Sequence, residues 1–343
     1  MSKPSKVLII YTGGTIGMVE DPETGSLHPF DFDHLLNEIP ELNKFDIDLE
    51  VVSLDNPMDS SNMGPDGWVG LIKIIEKNYN DFHGFVILHG SDTMAYTASA
   101  LSFLLENVNK PIIFTGSQLP IGKIRTDGKE NIITAIEIAG DYENGWPIVP
   151  EVAIYFEYSL YRANRTTKVS AENFEAFQSP NYPLLAVAGV HIKYNRFAIR
   201  KAEDKPLLAR KNIVEDVASI RLFPGLQHKV FKAICEVPGL KGLVLETYGS
   251  GNSPTHAWLA EEIIKLNEKG VIVVNVTQCV TGKVMQGKYE TGVHLERVGV
   301  LSGQDITYAA AMTKLMYLLS CKELSLEQQK SFMETNLRGE MSI

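Results

Sequence analysis

At 343 residues the chain is long enough for two domains, and 44% hydrophobic with 22% charged residues is ordinary for a globular protein. A net charge of −10 argues against nucleic-acid binding, and no apolar run approaches the ~20 residues that span a bilayer. Three isolated cysteines without a CxxC, and eight histidines without an HExxH, argue against a disulfide framework, a zinc site and a metal hydrolase.

The first apolar run, KVLII at 6–10, leads directly into YTGGTIGM at 11–18. It is too short for a signal sequence, so a cytoplasmic protein is expected. Adjacent glycines at a strand end let the backbone turn sharply and let a ligand or another segment come close. A phosphate loop is the obvious candidate, but the spacing is G-G-x-x-G rather than G-x-G-x-x-G, and no Lys-Ser/Thr pair closes it. No lysine or arginine lies between Lys6 and Lys44. What remains is a glycine turn presenting two hydroxyls, Thr12 and Thr15. It reads equally as an ordinary strand-to-loop turn.

Further along, GFVILHG (84–90), PIIFTGS (111–117) and EVAIYF (151–156) have the short, apolar, β-branched character of buried strands. Between them, 92–108 and 127–142 carry apolar residues at helical spacing, the first headed by Asp92. This alternation predicts an α/β fold with a larger, mostly parallel N-terminal sheet flanked by helices, over residues 1–188. A charged, weakly periodic stretch at 189–216 reads as a connection. ASIRLF, GLVLETYGSGNSP and GVIVVNVTQCVTGKV then alternate with helical stretches near 226–236 and 255–268, and 305–320 and 324–337 close the chain as helices. A smaller C-terminal α/β domain over 217–343 follows.

Ligands of open α/β sheets bind beyond the carboxyl ends of the strands. Three of those ends, TGGT, HGSDT and TGS, combine glycines with hydroxyls. A threonine hydroxyl such as Thr15 is a weak nucleophile and needs a partner to take its proton. Ser91 and Asp92 head a helix, and Lys168 follows NRTT after another strand; a lysine near a carboxylate and a hydroxyl can tune a proton relay. Taken singly, Lys168 reads as a solvated surface lysine.

YTGGTIGM, MDSSNM (58–63), GFVILHGSDTMAYTASALSF (84–103), LYRANRTTK (160–168), YGSGNSP (248–254), TQCVTGK (277–283) and NLRGE (336–340) together resemble the bacterial-type L-asparaginases, most closely the cytoplasmic type I branch. The resemblance runs in order along essentially the whole chain. It implies hydrolysis of L-asparagine to L-aspartate and ammonia, without a cofactor. Thr15 matches the family's nucleophile, and Ser91, Asp92 and Lys168 match its second catalytic cluster. Asp59, Ser60 and Ser61 match the substrate-binding loop, and Asp92 also matches the carboxylate that grips the substrate ammonium. The family builds its sites at subunit contacts, so a homodimer or homotetramer is expected. No nucleic-acid or membrane partner is.

Three positions depart from the family pattern. Ser91 stands where threonine is usual. Leu27 stands in the segment matching the mobile lid (19–30), where relatives often carry a tyrosine that assists the nucleophile. Glu246 stands where some type I relatives place an arginine that holds a second, allosteric asparagine, although Thr167 and Cys279 match other residues of that site. Two other readings stay open: an asparaginase-like tRNA amidotransferase subunit, disfavoured by the ten residues before YTGGT, and an amino-acid sensor that has lost turnover.

Overall fold

A computed structural model describes residues 4–14, 16, 19–20, 27–28, 39–286 and 290–342. The chain divides into two compact units, Met1–Lys211 and Asn212–Ile343. The first is built on an eight-stranded sheet. Its strands are β1 (Ser5–Tyr11), β2 (Ile47–Ser53), β3 (Gly84–Leu88), β4 (Ile112–Thr115), β5 (Val152–Phe156), β6 (Ser159–Arg162), β7 (Ala186–Val187) and β8 (Lys193–Tyr194). They lie in the order β8-β7-β6-β5-β4-β3-β1-β2. The five strands from β2 to β5 are parallel, and β6, β7 and β8 continue the sheet antiparallel.

Both faces of the parallel strands are buried, which is why they read as continuous apolar runs instead of alternating ones. Val7, Ile9, Tyr11, Val86, Leu88 and Ile113 share one core with Ile132, Ala135, Ile136 and Ala139 of a helix at Gly128–Gly140. The intervening Leu8, Ile10, Phe85 and Ile87 are buried too. The edge strand β2 alternates partly buried and exposed residues, with Asp48 and Glu50 facing water, so it lacks the apolar run that reveals its neighbours.

Among the described residues, the α-helices of this unit are α1 (Pro65–Asn78), α2 (Met94–Leu104) and α3 (Gly128–Gly140). α2 is shorter than its periodicity predicts. Leu105–Glu106 leave the helix to pair with Leu208–Ala209, and Asn107 turns the chain at φ 61°. Pairing with a distant segment overrides the local apolar pattern here. Lys193–Tyr194 and Leu208–Ala209 both lie inside the charged stretch read as a connection, and both pair within this first unit.

From β1 the chain passes to β2 on one side and then to β3 on the other. At such a reversal the loops leaving the strands diverge and open a crevice.

The second unit carries a four-stranded parallel sheet, β9 (Val217–Arg221), β10 (Gly242–Thr247), β11 (Ile272–Thr277) and β12 (Leu301–Ser302), in sequence order. Its helices are α4 (His228–Cys235), α5 (Ala257–Glu268), α6 (Glu290–Arg297), α7 (Tyr308–Ser320) and α8 (Leu326–Met333). Phe231, Leu259, Ile263 and Leu266 close over Leu243, Leu245 and Val273. The C-terminal turn is tied to α7 by an ion pair between Lys314 and Glu340, 2.6 Å apart with neither side chain exposed. Lys314 also donates to the carbonyls of Met333 and Thr335, and Glu340 accepts from the amides of Leu337 and Arg338.

Candidate active site

The site is assembled where the strand order reverses, between the ends of β1 and β3. Past β1, the amide and hydroxyl of Thr12 both donate to the Leu88 carbonyl, at 3.1 and 3.0 Å. Thr12 is buried, so its hydroxyl serves the sheet and is not presented by the turn. That corrects the expectation of two free hydroxyls. Thr15 lies outside the described residues, as do Gly17 and Met18.

Close approach explains the glycine pair. Gly13 and Gly14 have φ of 109° and 89°. A Cβ on Gly13 would stand 2.1 Å from the Met58 carbonyl oxygen, and one on Gly14 would stand 2.6 Å from the Gly90 Cα. Three segments, 12–14, 58–60 and 89–91, therefore meet backbone against backbone.

In the second segment Asp59 Oδ1 accepts from the amide and hydroxyl of Ser61, at 2.8 and 2.5 Å. Those two bonds hold the Asp59 carboxyl below its usual range. Ser60 is buried against Gly90, and its carbonyl accepts from Thr93 Oγ1 at 2.6 Å. The loop after β2 and the head of α2 are thus tied together.

In the third segment Asp92 does not cap α2. The helix has Thr93 at its N-cap with no side-chain cap bond. Lys168 Nζ instead donates to Asp92 Oδ1 at 2.6 Å and to Ser91 Oγ at 2.9 Å. Lys168 arrives from the antiparallel part of the sheet. β5 doubles back to β6 through Glu157 and Tyr158, both at positive φ (44° and 64°). At the end of β6, Arg162 is locked by a buried ion pair with Glu151 (2.6 Å) and donates to the Ala198 carbonyl. A 3₁₀ turn, Ala163–Arg165, then leads to Thr167–Lys168, which pairs with Phe177–Gln178.

The Lys168 side chain is 18% exposed and that of Asp92 64%. An ion pair so open to water adds little stability.

Of the other matched residues, Thr167 belongs to the first unit, in register with Gln178. Glu246 and Cys279 belong to the second. Glu246 sits on β10 in register with Arg221 of β9, and the two side chains approach to 3.6 Å. Burial raises the Glu246 carboxyl, and Arg221 works against that shift. Cys279 is exposed, its amide bonded to Thr277 Oγ1 at 3.0 Å. Of the lid, Val19–Glu20 pairs antiparallel with Leu27–His28, and the rest lies outside the described residues. Among the described residues no His, Cys, Asp and Glu cluster is arranged to hold a metal, and no helix is long and apolar enough to cross a membrane.

One contact went unread in the sequence. Gln118 follows TGS at the end of β4, and its Oε1 accepts from Ser91 Oγ at 3.2 Å. The TGS motif stands out by its glycine and hydroxyls, and the polar Gln118 is the next residue after it.

Comparison with known proteins agrees along the chain. The family description "Asparaginase, N-terminal" matches residues 6–200 and "Glutaminase/Asparaginase C-terminal domain" matches residues 216–333. L-asparaginase 1 of Escherichia coli (strain K12) is 40% identical over 348 residues, covering 100% of this chain and 99% of that protein. The 60 kDa lysophospholipase of Mus musculus is 40% identical over 365 residues, covering all of this chain but 64% of that protein. The crystal structure of L-asparaginase I from Vibrio cholerae O1 biovar eltor str. N16961 superposes with a TM-score of 0.89 at 39% identity, covering 99% of this chain and 100% of that one. The chain belongs to the bacterial-type L-asparaginase family. Within it, these full-length similarities assign the chain to the type I branch.

Proposed function

We propose that the protein is a cytoplasmic L-asparaginase that hydrolyses L-asparagine to L-aspartate and ammonia, with the chemistry in its N-terminal unit and Thr15 as nucleophile. The observation that carries this reading is the Lys168–Ser91–Asp92 cluster, held against the glycine turn where the strand order reverses. The Thr15 hydroxyl attacks the side-chain amide carbon and gives up its proton. The tetrahedral intermediate expels ammonia, which takes up a proton as it leaves, and an aspartyl ester remains on Thr15. Water then adds to the ester, restoring the hydroxyl and releasing aspartate. Lys168, bridging a hydroxyl and a carboxylate, serves the proton transfers. Asp92 offers its exposed carboxylate to the substrate ammonium, and the Asp59–Ser61 turn holds the other end of the amino acid.

Asparagine is preferred to glutamine in this reading. One more methylene displaces the amide carbon from a fixed nucleophile, and about 1 Å of misplacement costs ~10²-fold. The working form is a homodimer or homotetramer.

Ammonia release from L-asparagine by the purified protein tests the activity, with a lysophospholipid as the competing substrate. Thr15→Ala should abolish the release while the protein still folds. Wild-type turnover in that variant removes Thr15 from the mechanism, and hydrolysis of the lipid alone removes the amidase reading.

A further inference from the structure

The Ser91 hydroxyl has one proton and two lone pairs to place. Lys168 Nζ donates to the Asp92 carboxylate and, at 2.9 Å, to Ser91 Oγ, so Ser91 is an acceptor in that bond. The serine proton therefore points elsewhere, and Gln118 Oε1 lies 3.2 Å away as its acceptor. A glutamine amide can be turned either way round, and the network decides which. Here Gln118 Nε2 donates to the Asn173 carbonyl at 3.0 Å. A carbonyl oxygen only accepts, so the amide nitrogen must face Asn173 and the amide oxygen must face Ser91.

The backbone of Gln118 is fixed as well. The amides of Gln118 and Leu119 donate to the carboxylate of Asp127, which is buried at the head of α3. Ser117 Oγ and Thr126 Oγ1 both bind the Leu119 carbonyl. Gly116 lies so close to the preceding strand end that a Cβ there would stand 2.3 Å from the His89 carbonyl oxygen. The β4 loop is thus pinned to the β3 loop and to α3 at once.

We infer that Gln118 is a positioning residue that accepts the hydrogen bond of the Ser91 hydroxyl, so that the serine faces the reacting centre with a lone pair and not with its hydrogen. This rests on the reading of Ser91 and Lys168 as catalytic machinery. A Ser91 hydroxyl free to rotate would donate to whatever oxygen arrives, and the relay through Lys168 would lose its fixed direction.

A double-mutant cycle separates the possibilities. Gln118→Met keeps length and volume but removes the acceptor. It is expected to lower kcat about ten-fold, the scale of one hydrogen bond at a reacting centre, with KM within about two-fold. In a Ser91→Ala background the same substitution should change kcat by less than about two-fold, because no hydroxyl is left to orient. Gln118→Glu, which restores an acceptor, should recover part of the rate and shift the kcat–pH profile through its added charge. Equal losses from Gln118→Met with and without Ser91 would overturn the inference while leaving the site intact. A Ser91→Ala enzyme with wild-type kcat would instead overturn the underlying reading of the site. Thermal melting of each variant identifies any loss that comes from misfolding, and the Gln118→Glu rescue then decides.

Discussion

Gly14 and Gly90 touch through their backbones: a side chain on the first would begin 2.6 Å from the Cα of the second. Gly14 also holds φ at 89°, where an L-residue is strained. Gly14→Ala should therefore push the two loops apart and lower kcat/KM by at least ~10²-fold, the penalty for displacing a reacting group by about 1 Å. Kinetics near wild type in that variant would show that the pair is not set by close approach.

Lys168→Met should collapse kcat by ~10²–10⁴-fold, the range for a lost acid–base group, with a smaller effect on KM. Asp92→Ala should damage both constants, since hydrogen bonds to a charged group are worth ~1.5–3 kcal/mol. The steady-state parameters of both variants check the division of labour. Weakened binding at an unchanged kcat for Lys168→Met would reverse the assigned roles.

Glu246 bears on regulation. A carboxylate at this position repels the carboxylate of an effector amino acid where an arginine would attract it, and the neighbouring Arg221 is drawn towards Glu246 itself. The enzyme is expected to show hyperbolic kinetics with asparagine. A sigmoidal rate curve that Glu246→Ala abolishes would refute this.

The Lys314–Glu340 pair offers a stability test. Removing one partner of a buried ion pair leaves an uncompensated charge and costs ~3–5 kcal/mol. Lys314→Met and Glu340→Leu should each lower the midpoint of chemical unfolding markedly. The double variant should recover much of the loss. A double variant no better than the worse single one would mean that backbone bonds to the tail matter more than charge balance.

His89 predicts an acid sensitivity. It is fully buried, its Nδ1 lies 2.6 Å from the Gly90 carbonyl, and burial lowers its pKa to about 4 despite that carbonyl. The unfolded histidine titrates near ~6.5, so between about 6.5 and 4 only the unfolded chain takes the proton. Stability is complete above that window and is lost as the pH falls through it, by on the order of 3 kcal/mol. Unfolding free energies at pH 7 and pH 4.5 should differ by less in His89→Asn than in the wild type. An identical pH dependence would exclude His89 as a source of acid lability.

The parallel strands were readable because burial on both faces writes them as unbroken apolar runs: KVLII became β1, GFVIL β3 and VAIYF β5. β2 escaped because an edge strand alternates, and Leu105–Glu106 escaped because a distant segment claims them. At the site, residue types were legible and distances were not. Nothing local distinguishes Lys168 from a surface lysine. Its place depends on the Glu157–Tyr158 reversal and on the Arg162–Glu151 lock, both decided by pairings between segments. Gln118 was hidden for the same reason, its partners Ser91 and Asn173 being far away in sequence.

The walls of this crevice meet main chain to main chain, at Gly13 on Met58, Gly14 on Gly90 and Gly116 on His89. A glycine has no rotamers, so an arriving ligand has no side-chain freedom to quench at those three contacts. The entropic cost of ordering falls on the few long side chains that reach in, and Lys168 and Gln118 are already held by partners before anything binds. Binding energy that a softer crevice would consume in stiffening itself stays available here for aligning the reacting atoms.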